Sequence, residues 1–391
     1  MVQNIGREKP SYYAGDELHA VKQAKIQQAL EDHKLEGIVL IKPEAVRYAT
    51  DFYVKGYRPF CEPEYLAFIP RGRKAVVGYT SGSDQYRIQI RSDIEDHRKL
   101  PGIENWAKEL ITILRDYKVT TGRIGADLLP FNLQQAILNE LPDLEFVDLA
   151  DIWNDLTVVK HPVEIECLRK AVEITEIGLQ AALTCIRAGV REYEVAAWAE
   201  YAMRKNGSEM TPFITNVASG VNSAIFERIS TDKIIREGEM VILDLGCVWK
   251  GYTGDLGRTV CMGEPTREQK NIYRVTYLAL QEAINAVRPG ATCGEIDAAA
   301  RSVIKDEGYE KYEHKFATGH QLGYGLHGSP SINRNVKDIL RPGMIIAIEP
   351  RVTIYDNPAI GGAHLEDVVL VTETGCEKIS KLGYDKNLLS N

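Results

Sequence analysis

Two aspartates in the segment VILDLGCVWKGYTGDLGRT stand where apolar strand residues are expected: Asp244 follows Val241, Ile242 and Leu243, and Asp255 precedes a second apolar run. The two runs flank a turn at Trp249, Lys250 and Gly251, a pattern that predicts a β-hairpin. Eleven residues separate the aspartates, which places them about opposite each other on the ladder. Like charges facing each other across a sheet destabilise it unless something compensates, and a bound cation is one compensator. Taken alone, the pair reads equally as turn or strand-end residues facing water. Three further segments add chemistry of the same kind. His320 and His327 lie among Gly319, Gly323, Gly325 and Gly328, and glycine lets the backbone approach something compact. Glu349 ends the apolar run MIIAI, and Glu366 stands at the mouth of the run VVLV. A carboxylate embedded in an apolar strand is costly unless it is paired or coordinated. Four carboxylates and one imidazole form a hard donor set, suited to a pair of manganese-like or cobalt-like ions rather than to thiolate-loving metals.

The order Asp, Asp, His, Glu, Glu, within the text ILDLG, GYTGDLGRT, GHQLGYGLH, IEP and HLEDVVLVTE, resembles the pita-bread metallohydrolases. These include methionine aminopeptidase, aminopeptidase P, prolidase and creatinase. The segment IVLI followed by EAVRYATDF is similar to the leading domain of the aminopeptidase P, prolidase and creatinase branch. The resemblance implies an α+β chain: a smaller α/β creatinase-type domain over residues 1–155, then a pita-bread catalytic domain over residues 156–391. It implies that Asp244, Asp255, His320, Glu349 and Glu366 hold two divalent ions per subunit (manganese, cobalt or zinc), with Asp255 and Glu366 bridging them. Glu349 would also serve the bridging water as acid and base, and His327 would contact substrate. A homodimer is implied as well, one subunit's N-terminal domain capping the other's cleft.

Two positions depart from the peptidase pattern. After Ser219-Gly-Val-Asn222, Glu227 occupies the place of the family's catalytic histidine. His364 stands two residues before Glu366, where the family often carries arginine. Glu227 therefore joins the expected catalytic set with Glu349 and His327, and Glu227, His327 and His364 form the expected substrate contacts. A fifth carboxylate in the pocket suits a cationic group on the substrate, unless Glu227 turns outward to Arg228 or Lys233. The expected activity is metal-dependent hydrolysis of a C–N bond, Xaa-Pro peptidase-like, on a small dipeptide-like molecule. The alternative is a creatinase-like or ectoine-hydrolase-like amidohydrolase of a small nitrogenous metabolite, with or without metal. A catalytically dead binding domain ranks last, because all five ligand positions are kept.

The elements that must position these residues follow from periodicity. Residues 18–34 carry apolar side chains at helical spacing, and GIVLI reads as a buried strand. YLAFI and KAVVG predict a hairpin across PRGR, residues 106–117 and 133–141 read as helices, and RIGA as a strand between them. This alternation predicts an α/β layer. Pro162 opens a helical stretch over 163–184, a second helix follows at 193–205, strands dominate 214–261, and a helix pair occupies 267–308.

Composition excludes several classes. The 391 residues suit roughly two to three domains, and 44% apolar with 26% charged residues is ordinary for a globular protein. A formal charge of −8 argues against bulk binding to nucleic acid or anionic membrane. Seven cysteines are scattered with no Cys-x-x-Cys pair, so a thiolate metal site is not expected and a reducing, cytoplasmic setting is. The N-terminus has no apolar signal-peptide core, and no run reaches the roughly 18 apolar residues of a membrane span. Cys247 and Cys261 read as small core residues, the histidines at 19, 33, 97, 161 and 314 as solvated, and the aromatic stretch 52–65 as core or substrate contact.

Overall fold

A computed structural model describes residues 15–52, 63–89, 94–102, 105–225 and 229–390. The chain divides into two compact units between Thr157 and Val158.

The first unit runs α1 (Asp16–Asp32), β1 (Gly37–Leu40), α2 (Pro43–Thr50), β2 (Tyr65–Pro70), β3 (Val76–Tyr79), α3 (Gly82–Gln89), β4 (Asp96–Lys99), α4 (Trp106–Asp116), β5 (Gly122–Ala126), α5 (Phe131–Glu140), β6 (Leu144–Asp148) and α6 (Ala150–Val158). Its sheet has the order β4-β3-β2-β1-β5-β6. The expected hairpin is β2 with β3, antiparallel, while β1 also runs parallel to β5. All four residues of β1 are buried, which is why that strand reads as an unbroken apolar run. Trp106, Leu110, Ile113 and Leu114 bring the apolar stripe of α4 into the core with Val39, Phe68 and Ile124. Most of the aromatic stretch, including Tyr53, Tyr57 and Phe60, lies outside the described residues, but Phe52 and Tyr65 meet edge to face with centroids 5.4 Å apart.

The second unit continues with α7 (Pro162–Cys185), α8 (Glu192–Lys205), β7 (Asn216–Ser219), β8 (Met240–Trp249), β9 (Tyr252–Cys261), α9 (Arg267–Ala286), α10 (Cys293–Asp306), β10 (Gly319–Gly323), β11 (Gly325–Ile332), β12 (Ile345–Ile348), β13 (Arg351–Thr353), β14 (Gly362–His364), β15 (Asp367–Val371), β16 (Cys376–Lys378) and α11 (Lys386–Leu389). Its strands form three sheets, β11-β10-β12-β15-β16, β7-β8-β9 and β13-β14. Ile272, Tyr273, Ala279 and Leu280 of α9 pack with Ile346, Ile348, Ala363 and Val369 in one core that backs the strands. With helices and a mixed sheet in the first unit, and helices with antiparallel sheets in the second, the architecture is α+β.

The β8–β9 hairpin closes through Lys250 and Gly251, at φ 51° and 84°, between the paired Trp249 and Tyr252. Two central residues at positive φ fit a two-residue turn that follows strand twist. This tight loop sets the register and corrects the expected facing of the aspartates. Asp244 lies opposite Gly257, and Asp255 opposite Gly246. The aspartates are thus diagonal neighbours offset by two, on one face of the ladder. Glycine at 257 leaves room behind them, since a Cβ there would come within 2.4 Å of His364 Nε2.

Arg258, buried on β9, ties this hairpin to β15. Its Nη2 donates to Asp367 Oδ1 at 2.8 Å and to the Leu382 carbonyl at 2.6 Å, Nε donates to Gly383 O at 3.1 Å, and Nη1 donates to Gly257 O at 2.8 Å and to Glu366 O. Asp367 is wholly buried and also accepts from Ser380 Oγ at 2.8 Å and from the Tyr384 hydroxyl. Removing one member of a buried ion pair leaves the other charged and desolvated. Arg258→Met is therefore expected to lower unfolding free energy by about 3–5 kcal/mol. A urea midpoint equal to that of the unmodified chain would show that this anchor carries no stability.

Candidate metal centre

The β8–β9 hairpin supplies Asp244 and Asp255, β10 supplies His320, Glu349 follows β12, and Glu366 sits between β14 and β15. Backbone bonds fix the two glutamates: Glu349 N donates to Thr318 O at 2.7 Å, and Glu366 N to Gly257 O at 3.0 Å. Thr259 and His364 close the same corner reciprocally, the Thr259 hydroxyl donating to His364 O at 2.7 Å and accepting from His364 N at 2.9 Å.

All five residues line one cavity of about 630 Å³, together with Phe213, Asn216, His314, His327 and Arg351. That volume suits a small ligand. A larger hollow of about 870 Å³ in the first unit is lined by His19, Arg73, Asp96 and Tyr117, but the chemistry converges elsewhere. Asp255, His320 and Glu366, all buried, offer ligand atoms within 4.8 Å of one another. His320 Nε2 lies 3.5 Å from Asp255 Oδ2 and 3.6 Å from Glu349 Oε1. The other ring nitrogen, Nδ1, is 3.2 Å from the Gln321 carbonyl and must donate to it, so it is Nε2, turned to the carboxylates, that offers a lone pair once the ring is neutral.

The electrostatics call for a cation. Burial, then the charges of Asp244 and Glu349, push the Asp255 carboxyl up to about 7 against the pull of His320. Burial and the neighbouring carboxylates hold Glu366 well above the usual carboxylate range. Burial opposes a charge on His320, yet Asp255 and Glu349 outweigh it and raise the imidazole to about 9. Glu349 is held below its ordinary value: burial opposes this, but the charges of Arg351 and His320 prevail. Two oxygens, Asp255 Oδ1 and Glu366 Oε1, are buried with no hydrogen-bond partner among the described residues. Buried carboxylate oxygens without donors are what a hard divalent ion requires, so this donor set fits a metal.

His327 lies at the cavity wall, its ring centroid 4.5 Å from that of His320; partial desolvation of the ring and the His320 charge lower its pKa, although the residue as a whole is exposed. His364 is fully buried, with Nδ1 3.7 Å from Asp244 Oδ2 and Nε2 3.6 Å from Glu366 Oε2. Glu227 lies outside the described residues.

Several residues at the site were not anticipated. Arg351 faces His364 across β13–β14 and reaches Asp244 Oδ2 at 3.4 Å and Glu349 through Nη2. His314, expected to be solvated, is part-buried in the cavity wall, and burial and Arg351 lower its pKa. Glu192 is wholly buried and braces the Ser219–Asn222 text. It accepts from Ser219 N at 2.7 Å, Ser219 Oγ at 2.8 Å, Thr231 Oγ1 at 2.6 Å and Asn222 Nδ2 at 3.1 Å. The only available signal was the helix start, where an acidic residue is commonplace. Cys247 is a core thiol as expected, donating to Ala171 O at 3.2 Å and pushed up to about 12 by burial.

Residues 166–373 match metallopeptidase family M24, and residues 22–159 match the creatinase/prolidase N-terminal domain. The chain belongs to metallopeptidase family M24. It is a hydrolase with a pita-bread catalytic unit behind a creatinase-type N-terminal domain, and divalent-metal dependence comes with the family. It is 39% identical over 237 residues to an Xaa-Pro dipeptidase of Pyrococcus furiosus, covering 61% of this chain and 67% of the relative. An Xaa-Pro dipeptidase of Lactobacillus delbrueckii is 30% identical over 370 residues, covering 90% of this chain and 94% of the relative. Among solved structures, an Xaa-Pro dipeptidase from Bacillus anthracis superposes with a TM-score of 0.80 at 28% identity, covering 94% of this chain and 99% of the other.

The pKa directions fix a sign for metal uptake. Without an ion, Glu366 and Asp255 keep protons above the normal carboxylate range and His320 keeps its proton to about 9. An entering ion must displace those protons, so its apparent affinity falls as pH falls. As pH falls below each group's own pKa, the expected loss approaches about tenfold per pH unit for each proton displaced, from about 9 downward for His320 and from about 7 downward for Asp255. Titration calorimetry in two buffers of different ionisation enthalpy measures the release directly; a pH-independent affinity would contradict the assignment.

Proposed function

We propose that the chain is an Xaa-Pro-type dipeptidase whose centre holds two divalent ions on Asp244, Asp255, His320, Glu349 and Glu366. The observation that carries this reading is the buried donor set at one cavity, with Asp255 Oδ1 and Glu366 Oε1 lacking hydrogen-bond donors among the described residues. The relatives named Xaa-Pro dipeptidase support the substrate class and do not favour the amidohydrolase alternative. Bound there, two divalent ions would polarise a carbonyl and activate water, with manganese, cobalt or zinc as candidates. By the family resemblance, Asp255 and Glu366 are the carboxylates that would be shared between the ions. Glu349, part-exposed to the cavity, is the proposed proton carrier between attacking water and leaving amine. His327 at the wall is the proposed substrate contact, a neutral imidazole able to hydrogen-bond a carbonyl or its tetrahedral successor. His364, expected from sequence as a substrate contact, is fully buried and does not line the cavity, so its role here is to sit beside Asp244 and Glu366 at 3.7 and 3.6 Å. Glu227 enters on sequence alone, as the partner of a cationic substrate group.

The working division is an N-terminal domain over residues 1–155 and a catalytic domain over 156–391, in a cytoplasmic homodimer. Light scattering at micromolar concentration is expected to give a dimer mass, and a monomer would remove the partner subunit from the proposal.

Asp255→Ala tests the centre. The variant is expected to lose both metal uptake and hydrolysis of Xaa-Pro dipeptides, by at least about a thousandfold in kcat. Full activity in that variant would show that the ligand set is wrong.

A further inference from the structure

The metal-ligating trio Asp255, His320 and Glu366 is compact, but the other two carboxylates of the centre already share a cation. Arg351 opens β13, directly opposite His364 on β14. This pairing puts its guanidinium at the cavity wall, where Nη2 lies 3.4 Å from Asp244 Oδ2 and hydrogen-bonds Glu349 Oε2. The group is well enclosed, with 13% of its side chain exposed. His364 Nδ1, 3.7 Å from the same Asp244 oxygen, adds a second nitrogen beside that carboxylate. A guanidinium stays charged at every accessible pH, so it cannot yield to an incoming ion by losing a proton. Four carboxylates balance two divalent ions; a fixed guanidinium among them leaves the second ion one charge in surplus.

The geometry points to Arg351 as a tethered cation that competes with a metal ion for Asp244 and Glu349. The Asp255–His320–Glu366 position then fills first, and a second ion enters only by displacing the guanidinium from Asp244. Arg351 acts here as a positioning residue that sets how many ions the centre holds at a given concentration. The inference rests on the metal-dependent reading of this site and deepens it.

The test is calorimetric titration of the metal-stripped full chain with Mn²⁺, read alongside the electron paramagnetic resonance of bound Mn²⁺, which separates isolated from coupled ions. The unmodified chain is expected to show two unequal steps, the first at least about tenfold tighter. Arg351→Gln is expected to strengthen the second step about tenfold and leave the first unchanged, so that coupled pairs form at lower Mn²⁺. Arg351→Lys keeps the charge and is expected to retain the unequal steps, which guards against a fold defect in the glutamine variant. Asp244→Asn is expected to remove the second step alone. Two equal steps in the unmodified chain, or a second step untouched by Arg351→Gln, would overturn the role of Arg351 while leaving the metallopeptidase reading intact. Absence of any Mn²⁺ binding to the unmodified chain would overturn both.

Discussion

Four carboxyl groups gathered around one cavity repel one another, and the second unit is built to hold them there nonetheless. Their mutual repulsion and their removal from water show in the raised carboxyls of Asp255 and Glu366 and in the raised imidazole of His320. Left to itself, such a cluster would relax by spreading its strands or by keeping its protons. A divalent ion would resolve the conflict by accepting the lone pairs of oxygens that meet no hydrogen-bond donor among the described residues. Affinity for metal is thus stored as unfavourable electrostatics in the framework rather than as any single ligand's strength.

The framework resists the spreading through bonds made by neighbours of the ligand positions. Arg258 clamps the Gly257 and Glu366 carbonyls and pairs with Asp367, so the two ligand-bearing segments cannot drift apart without exposing a buried charge. Thr259 and His364 repeat the clamp on the other side of Gly257. Glu192 does the same for the Ser219–Asn222 segment beside β8. Arg258, Asp367, Thr259 and Glu192 are buried with their side chains hydrogen-bonded, which makes the corner stiff as well as close-packed.

The five proposed ligands were legible because a carboxylate in an apolar run is an anomaly that sequence displays directly, as at Asp244 and Glu349. Their register was not. Opposition of Asp244 and Asp255 requires a turn centred between Trp249 and Lys250, and the observed turn, centred one residue later at Lys250–Gly251, moves the pairing to Gly257 and Gly246. Strand β4, reading DHRK, escaped notice because an edge strand needs no apolar alternation. Arg351 escaped for a different reason. An arginine at the start of a short strand is unremarkable until the strand across from it is known, and that strand begins eleven residues downstream. Reading His364 as a plain loss of arginine therefore missed the guanidinium that its cross-strand neighbour supplies.

The β8–β9 hairpin has one further consequence, for the order in which the molecule assembles. Asp244 and Asp255 come from a single antiparallel ribbon spanning Met240–Trp249 and Tyr252–Cys261, so their geometry depends on local contacts that close quickly. His320, Glu349 and Glu366 arrive from strands far along the chain, after two intervening helices. An ion held by all five proposed ligands would need both the hairpin and these later segments in place, so it would recognise only the finished unit. By mass action, such an ion withdraws chains from partly folded states and adds its binding energy to the stability of the whole unit, not of the hairpin.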